Sequence, residues 1–447
     1  MKRKDQVVTT VEFTRVGYIL QGMSHFAKRV LVVGAGFAGL KAAKALSKSR
    51  DVQVTLIDRR NHHLFQPLLY QVATAGLSPA EIATPIRTVF ANRDNVKVLM
   101  GNIESVILSQ RQVSMQGELL DYDYLILACG AKHSYFNHPE WENDSPGLKT
   151  LEQATEIRRR ILLAFELAER AKDPVLQKEL LTFIVVGGGP TGVEMAGAIG
   201  EISRYTLEKD FRAIRPDRTR VLLVEAGSRI LPAFSEVLSK RAARDLERLG
   251  VQIWTSTRVT EVNAMGIKMG NEEVRARTVI WAAGVKPSSL SQTMNVELDS
   301  VGRVKVQKDL SLPGHPEVMV LGDQAHFPTK DGKGLPGLAP VAMQQGTHAA
   351  SNILADLRQR PRQPFVYRDK GIMATIGRKS AIVQIGRLQY GGFFAWLTWL
   401  FIHIYYLIGF KNRIFVFAQW AWAYLTFKRG ARLILDKEWR SNPQVKN

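Results

Sequence analysis

Apolar residues fall along this chain in short runs that alternate with glycine turns and with stretches of helical periodicity. RVLVVGAGFAG, residues 29–39, runs from an apolar strand into Gly34, Gly36 and Gly39, and KAAKAL continues it as a helix. A second apolar strand, VQVTLID, ends on Asp58, 19 residues past Gly39. Strand, tight turn, helix, and a strand closed by an acid is the layout of a dinucleotide-binding βαβ unit.

The pattern then repeats. LTFIVVGGGPTG, residues 181–192, carries Gly187, Gly189 and Gly192, and the strand VLLVEAG presents Glu225. Each copy closes on a further strand and small-residue turn, YLILACG at Gly130 and VIWAAG at Gly284. From first fingerprint glycine to closing glycine is 96 residues in one copy and 97 in the other. A lone GxGxxG is often only a tight turn. Two that share a downstream layout predict two structurally similar domains.

The glycines have a physical reason. Backbone amides must approach a pyrophosphate closely, and a Cβ would hold it off; the following helix aims its positive end at the phosphate. Asp58 and Glu225 stand where a carboxylate accepts hydrogen bonds from ribose hydroxyls. A carboxylate at Glu225 also repels a 2′-phosphate, which favours NADH over NADPH.

Composition narrows the class. At 447 residues the chain exceeds one ordinary core, and 45% hydrophobic with 23% charged residues is globular usage. The 61 Lys and Arg against 41 Asp and Glu give +20, which attracts an anionic surface. No nucleic-acid-binding motif or metal motif accompanies the charge, so acidic lipid fits better than nucleic acid. Cys129 is the single cysteine, so no disulfide and no CxxC pair exists within the chain. Lys2, Arg3 and Lys4 are followed by no apolar stretch of useful length, so residues 1–27 read as an N-terminal extension rather than a signal peptide, and Met23 is an alternative start.

Several stretches closely resemble the type II NADH:quinone oxidoreductases, a group of two-dinucleotide flavoproteins. They are HHLFQPLLYQVATAGL after the first fingerprint, VVGGGPTGVEMAG at the second, VLGDQA at 320–325, LAPVAMQQG at 338–346 and AQWAW at 418–422. The resemblance covers nearly everything from Lys28 onward. It implies FAD at Gly34, Gly36, Gly39 and Asp58, with Asp323 on the ribityl chain and Ala339 and Gln344 on the flavin side. NADH goes to Gly187, Gly189, Gly192 and Glu225. Glu194 is implied near the nicotinamide and flavin as the proton-handling catalytic residue, and Gln344, Gln345, Gln419 and Trp420 near the quinone. Arg378 and Lys379 are looser candidates for a quinone carbonyl. From the residues alone, Asp323 ends an apolar strand where open α/β sheets place ligands, or it caps the next element. Gln344 and Gln345 equally suit an exposed helix face.

At the C-terminus FFAWLTWLFIHIYYLIGF, residues 393–410, has no formal charge over 18 residues, and IFVFAQWAWAYLTF follows. Eighteen residues is the lower limit for a spanning helix and fourteen is too short. Trp and Tyr abound, and residues 386–447 carry nine Lys or Arg against two Asp or Glu. That suits a helix lying in the headgroup interface. A spanning helix and a helix buried in a homodimer are the competing readings.

The fold class expected is therefore α/β: two Rossmann-like dinucleotide-binding domains plus a C-terminal amphipathic helical membrane anchor. Residues 28–140 and 301–385 are assigned to the FAD-binding domain, 141–300 to the NADH-binding domain and 386–447 to the membrane-anchoring segment. The function implied is hydride transfer from NADH to FAD and then two electrons to a membrane quinone, without proton pumping, since no polytopic bundle with intramembrane carboxylates exists. A bacterial source would place the enzyme peripherally on the cytoplasmic face of the inner membrane. Disulfide reductases and sulfide:quinone oxidoreductases need paired cysteines, which one cysteine cannot supply. A soluble-acceptor or oxygen-reducing flavoenzyme, and a low-turnover redox sensor or scaffold, remain as alternatives. Glu225 gives a direct prediction: kcat/KM for NADH exceeds that for NADPH by at least tenfold, and comparable values for the two would contradict its role.

Overall fold

The computed structural model describes residues 27–207, 210–329, 332–408, 410–426 and 431–435. The expected N-terminal extension, with Met23, lies almost wholly outside them.

Strand β1 (Lys28–Val33) passes through the glycine turn into helix α1 (Phe37–Leu46), and β2 (Val52–Asp58) returns parallel to β1. A short helix, α2 (Leu69–Ala73), precedes β3 (Val96–Met100) and β4 (Tyr124–Leu127), and these join β2 and β1 on opposite sides. The chain then crosses on β5 (Ala131–His133) to helix α3 (Leu151–Arg170), capped by Thr150, whose hydroxyl accepts from the Gln153 amide. The second copy follows: β6 (Thr182–Val186), α4 (Pro190–Glu201), β7 (Arg220–Val224), β8 (Val251–Trp254) and β9 (Thr278–Trp281). It returns on β10 (Val285–Pro287), antiparallel to β5. A hairpin of β11 (Ser311–Leu312) and β12 (His315–Val320) completes the first sheet, and helix α5 (Ala339–Leu357) lies against α1.

The two sheets share one order. The first runs β11–β12–β4–β1–β2–β3 and the second β8–β7–β6–β9, so β3–β2–β1–β4 and β8–β7–β6–β9 are equivalent sets of parallel strands. Their strands are near-continuous apolar runs because both faces are covered: in the second sheet Phe183 and Val185 pack against helices, while Ile184 and Val186 pack against Val262, Ile267, Met269 and Val274 of a three-stranded antiparallel sheet. In β6, Phe183, Ile184 and Val185 are wholly buried, as are Leu125, Ile126 and Leu127 in β4.

Two assigned boundaries move. Ser289–Met294 lies with the first unit, placing Leu290 and Met294 in its core, so the return crossing is at β10 rather than at residue 300. The boundary at 385/386 cuts a sheet: β13 (Ile372–Ile376), β14 (Ser380–Ile385) and β15 (Leu388–Gly392) are hydrogen-bonded in sequence order. This antiparallel sheet packs on α4 and on helix α6 (Phe393–Tyr406), a third element beside the two nucleotide units.

The apolar run 393–410 does not form one helix. Leu407 turns to extended backbone with its side chain in the core, ending α6 after 14 residues, and α7 (Phe410–Thr426) follows with 17. No helix among the described residues is long and apolar enough to cross a membrane. Burying Trp399, 2% exposed, together with Ala395 and Leu400 ties α6 to the same core as α2 and α4.

Helix α5 approaches α1 through small residues. Gly346 lies directly on the Ala38 backbone carbonyl, and Ala349 and Ala350 are fully buried beside it. A Cβ on Gly346 has no room and no flexible neighbour to displace. Gly346→Val is therefore expected to push α5 off the first glycine loop, lowering the melting temperature by several degrees, as a loss of about 1–3 kcal/mol would. FAD should dissociate during gel filtration. An unchanged melt with retained FAD would show that this approach is not needed.

Candidate functional site

The two glycine loops are geometric duplicates. Gly34 and Gly187 have φ of +98° and +110°, a left-handed conformation that costs a residue with a Cβ about 1–2 kcal/mol. Sterics weigh more than this strain: a Cβ on Gly34 would collide with the Ala128 carbonyl, and one on Gly187 would stand 2.8 Å from the Ala282 carbonyl carbon. Gly39 and Gly192 rest on the carbonyls of Gly34 and Gly187. In contrast, Gly36 and Gly189 face nothing within 4 Å. Both are N-caps of helices without a side-chain cap, so backbone N–H groups are left facing open space. An open cradle at a helix N-terminus fits a pyrophosphate.

The acids are duplicated as closely. Asp58 accepts from the amides of Ala35 (2.7 Å) and Arg60 (2.8 Å), and Glu225 accepts from those of Gly188 (2.5 Å) and Gly227 (2.6 Å). Each carboxylate is thus fixed beside its loop by the second loop residue and by the amide two residues on. Charge-assisted bonds of this kind hold a carboxylate in place for ribose hydroxyls.

The first cradle gains further partners. Asp323 follows β12, and its carboxylate lies beside Gly337, just ahead of α5. Ala339 is the first residue of α5, whose N-cap, Leu338, has no side chain to satisfy the free amides. Lys149 lies near enough for the Asp323 charge to act on it; burial pushes its pKa down and Asp323 opposes the shift. His63 is buried with its Nδ1 2.8 Å from the Ala35 carbonyl, and desolvation lowers its pKa. Its Nε2 has no partner, which marks a neutral imidazole behind the loop.

The glutamines of α5 are not an exposed polar face. Gln345 is 1% exposed, and its Oε1 accepts from the Gly322 amide at 2.7 Å, bracing the turn that carries Asp323. Gln344 donates to the Arg368 carbonyl and accepts from the Arg368 amide, both at 3.0 Å. Gln344 thereby straps the segment that follows α5. Arg378 is likewise engaged elsewhere: its amide donates to Glu201 at 3.1 Å and its guanidinium pairs with the same carboxylate at the far end of α4.

Glu194 sits one turn into α4, where β13 crosses. Its outer edge reaches solvent, but protein crowds it on the scale that governs desolvation. Burial pushes its pKa up to about 8, against a backbone hydrogen bond at Thr375. The Cys129 thiol is also pushed up to about 12 by burial, which leaves it inert.

At the C-terminal helices, Gln419 donates to Glu81 and Trp420 donates through Nε1 to Gln71 at 2.7 Å. Gln71 in turn donates to the Tyr70 hydroxyl at 2.9 Å. Trp420 lies 5.3 Å from Trp399, which stacks on His403 at 4.3 Å, and His403 meets Phe65 at 6.2 Å. Phe65 contacts Phe37 at the start of α1. An aromatic file therefore runs from the first loop to α7. Burial raises the Glu81 pKa and lowers that of His403 to about 4. Sequence reasoning missed Gln71, Glu81 and His403: their partners lie more than 300 residues away or are core aromatics, and no local pattern joins them.

The sequence model of the pyridine nucleotide-disulphide oxidoreductase family matches residues 28–346. The chain is 44% identical over 428 residues to the type II NADH:quinone oxidoreductase Ndh of Mycobacterium tuberculosis, covering 92% of this chain and 91% of the relative. It is 41% identical over 429 residues to NdhA of the same organism, covering 92% and 90%. The structure of NDH2 from Plasmodium falciparum in complex with NADH superposes with a TM-score of 0.83 at 19% identity, over 92% of this chain and all of that one. Its duplicated cradles and this degree of identity over nearly the whole length place the chain in the type II NADH:quinone oxidoreductases.

Proposed function

We propose that the protein oxidises NADH and reduces a membrane quinone through FAD. The observation that carries this reading is the pair of equivalent open loops, of which only the first has Asp323 and a second helix end gathered against it. FAD is assigned to Gly34, Gly36, Gly39 and Asp58, with Asp323 and the Ala339 end of α5. NADH is assigned to Gly187, Gly189, Gly192 and Glu225. Bound FAD would supply a two-electron carrier between nicotinamide and quinone.

The protein's own work is positioning and charge. The positive end of α5 favours the electron-rich reduced state by electrostatics, with no titrating group required. Glu194 holds a proton up to about pH 8, between the second cradle and the α2 segment that carries Gln71. Gln71, Trp420 and Gln419 form an amide and indole patch suited to a flat ring with carbonyl oxygens. Purified protein with NADH and a short-chain quinone tests the function: NADH absorbance should fall rapidly only when quinone is present. Loss with oxygen alone would indicate an oxidase, and no loss a sensor or scaffold. In the same assay Glu194→Gln should keep FAD but lower quinone turnover by about 100-fold. Wild-type turnover should fall as pH rises through about 8, where Glu194 loses its proton, and the variant should lack that limb. Unchanged turnover would remove the role.

The membrane reading rests on the outer faces of α6 and α7. Phe394 (75% exposed), Phe401 and Tyr405 stand on one side of α6, and Ile414, Phe415 and Trp422 are exposed on α7, while the inner faces are packed. A large exposed apolar patch on a segment whose sequence is rich in Lys and Arg suits a headgroup interface of anionic lipid. The resemblance extends this to a peripheral place on a bacterial cytoplasmic face. Phe394→Glu with Phe401→Glu should release the protein from vesicles containing anionic lipid while leaving its FAD and soluble-quinone activity intact. If the variant stays on vesicles, the patch is not the anchor; if it instead converts a dimer to a monomer, the patch is a homodimer face.

A further inference from the structure

The rim of the second cradle carries a largely exposed aromatic side chain. Phe136 follows β5 by three residues and is 61% exposed, although the backbone around it is tightly held. On one side the Ser134 carbonyl accepts the Trp281 indole N–H at 2.9 Å. Tyr135 next to it is buried, stacks on Trp281 at 5.3 Å, and donates its hydroxyl to the Ser145 carbonyl at 2.9 Å. Phe136 and Asn137 then both adopt left-handed backbone, φ +50° and +72°. Left-handed phenylalanine is a strained choice, and consecutive strained residues mark a feature held for a purpose rather than a loop of convenience.

The strain aims the ring. Its tip lies 2.7 Å from where a Cβ on Gly284 would be, so the ring covers the closing turn of the second copy and meets Trp281 edge-on at 6.2 Å. At the equivalent turn of the first copy, Gly130 faces nothing within 4 Å. The duplicated geometry therefore differs at this point, and only the second copy has an aromatic wall. Val285, the next residue after Gly284, is 57% exposed at the same rim.

The sheet order says which part of a ligand would meet this wall. Glu225 marks the adenosine ribose at the end of β7, and the pyrophosphate belongs over Gly189 at β6. A dinucleotide crossing the sheet from β7 over β6 brings its other half over the end of β9, where Ala282–Gly284 and the Phe136 ring lie. The crossing strands β5 and β10 place that same rim against the first unit. We propose that Phe136 is a positioning residue for the nicotinamide half of the dinucleotide, its ring forming the outer wall of the slot that aims the nicotinamide toward the flavin. This rests on the assignment of NADH to the second cradle.

The test separates the two halves of the nucleotide. Phe136→Ala holoenzyme should bind NADH about tenfold more weakly and reduce its flavin more slowly at saturating NADH, as loss of one aromatic face from the slot would. Inhibition by ADP-ribose, which has no nicotinamide, should be unchanged. Reoxidation of prereduced enzyme by quinone should also be unchanged, and Phe136→Tyr should restore NADH affinity. FAD content and melting temperature matching wild type would show that the side chain is not needed for folding; should the alanine variant misfold, Phe136→Leu, which keeps bulk without the aromatic face, gives the same comparison. The proposal is overturned if NADH affinity stays within twofold of wild type, or if ADP-ribose and NADH weaken equally. If ADP-ribose fails to inhibit the wild-type enzyme, it is the placement of NADH in the second cradle that has failed.

Discussion

The structure depends on one steric constraint, imposed twice: a glycine carbonyl must lie against the glycine five residues ahead. Gly39 sits on the carbonyl of Gly34, and Gly192 on that of Gly187, so neither helix can start where it does with a side chain at those positions. This contact turns the chain sharply out of the central strand and points the next helix at the space over Gly36 or Gly189. The tethering of Asp58 and Glu225 to the loop amides follows, because those amides point outward only in this turn. Much of the remaining fold supports the two turns. The parallel neighbours β2 and β4 brace the first, β7 and β9 brace the second, and the β5–β10 pair sets one unit against the other.

What distinguishes the copies is what packs onto them. The first receives α5 through the bare backbone of Gly346, and Gln345 then reaches Gly322 to hold the Asp323 turn. The second receives β13, which crosses α4 and encloses Glu194. One scaffold thereby yields an electropositive helix end at one loop and a carboxyl that stays protonated near neutrality at the other. Helices α6 and α7 close the assembly through Trp399 and Trp420, leaving one apolar face inward and one outward.

The duplicated cradles were legible in the sequence because their determinants are local: glycines at fixed spacing, an apolar strand on either side, and an acid at a strand end. The antiparallel sheet β13–β14–β15 was not, because strands 380–385 and 388–392 fall where composition changes, and the hydrophobic tail drew the boundary between them. The break at Leu407 escaped notice because an apolar residue that turns to enter the core looks like any other in an apolar run. Gln344 and Gln345 have the same residue type and adjacent places on one helix, yet one straps a surface segment and the other is buried under the Asp323 turn. Helical phase relative to α1 decides this, and phase is a property of packing. Phe136 gave no sequence signal, since its interest lies in a backbone angle.

The central claim, that the two loops divide FAD and NADH between them, is tested most directly by anaerobic titration of Gly189→Val with NADH while the flavin spectrum is followed. Gly189 has ordinary extended backbone and no neighbour within 4 Å of a Cβ, so valine there should disturb only a ligand over the loop. The variant is predicted to purify with its full complement of FAD, to stay oxidised when NADH is added, and to bleach with dithionite. Bleaching by NADH at wild-type concentrations, or loss of FAD from a folded variant, would contradict the account.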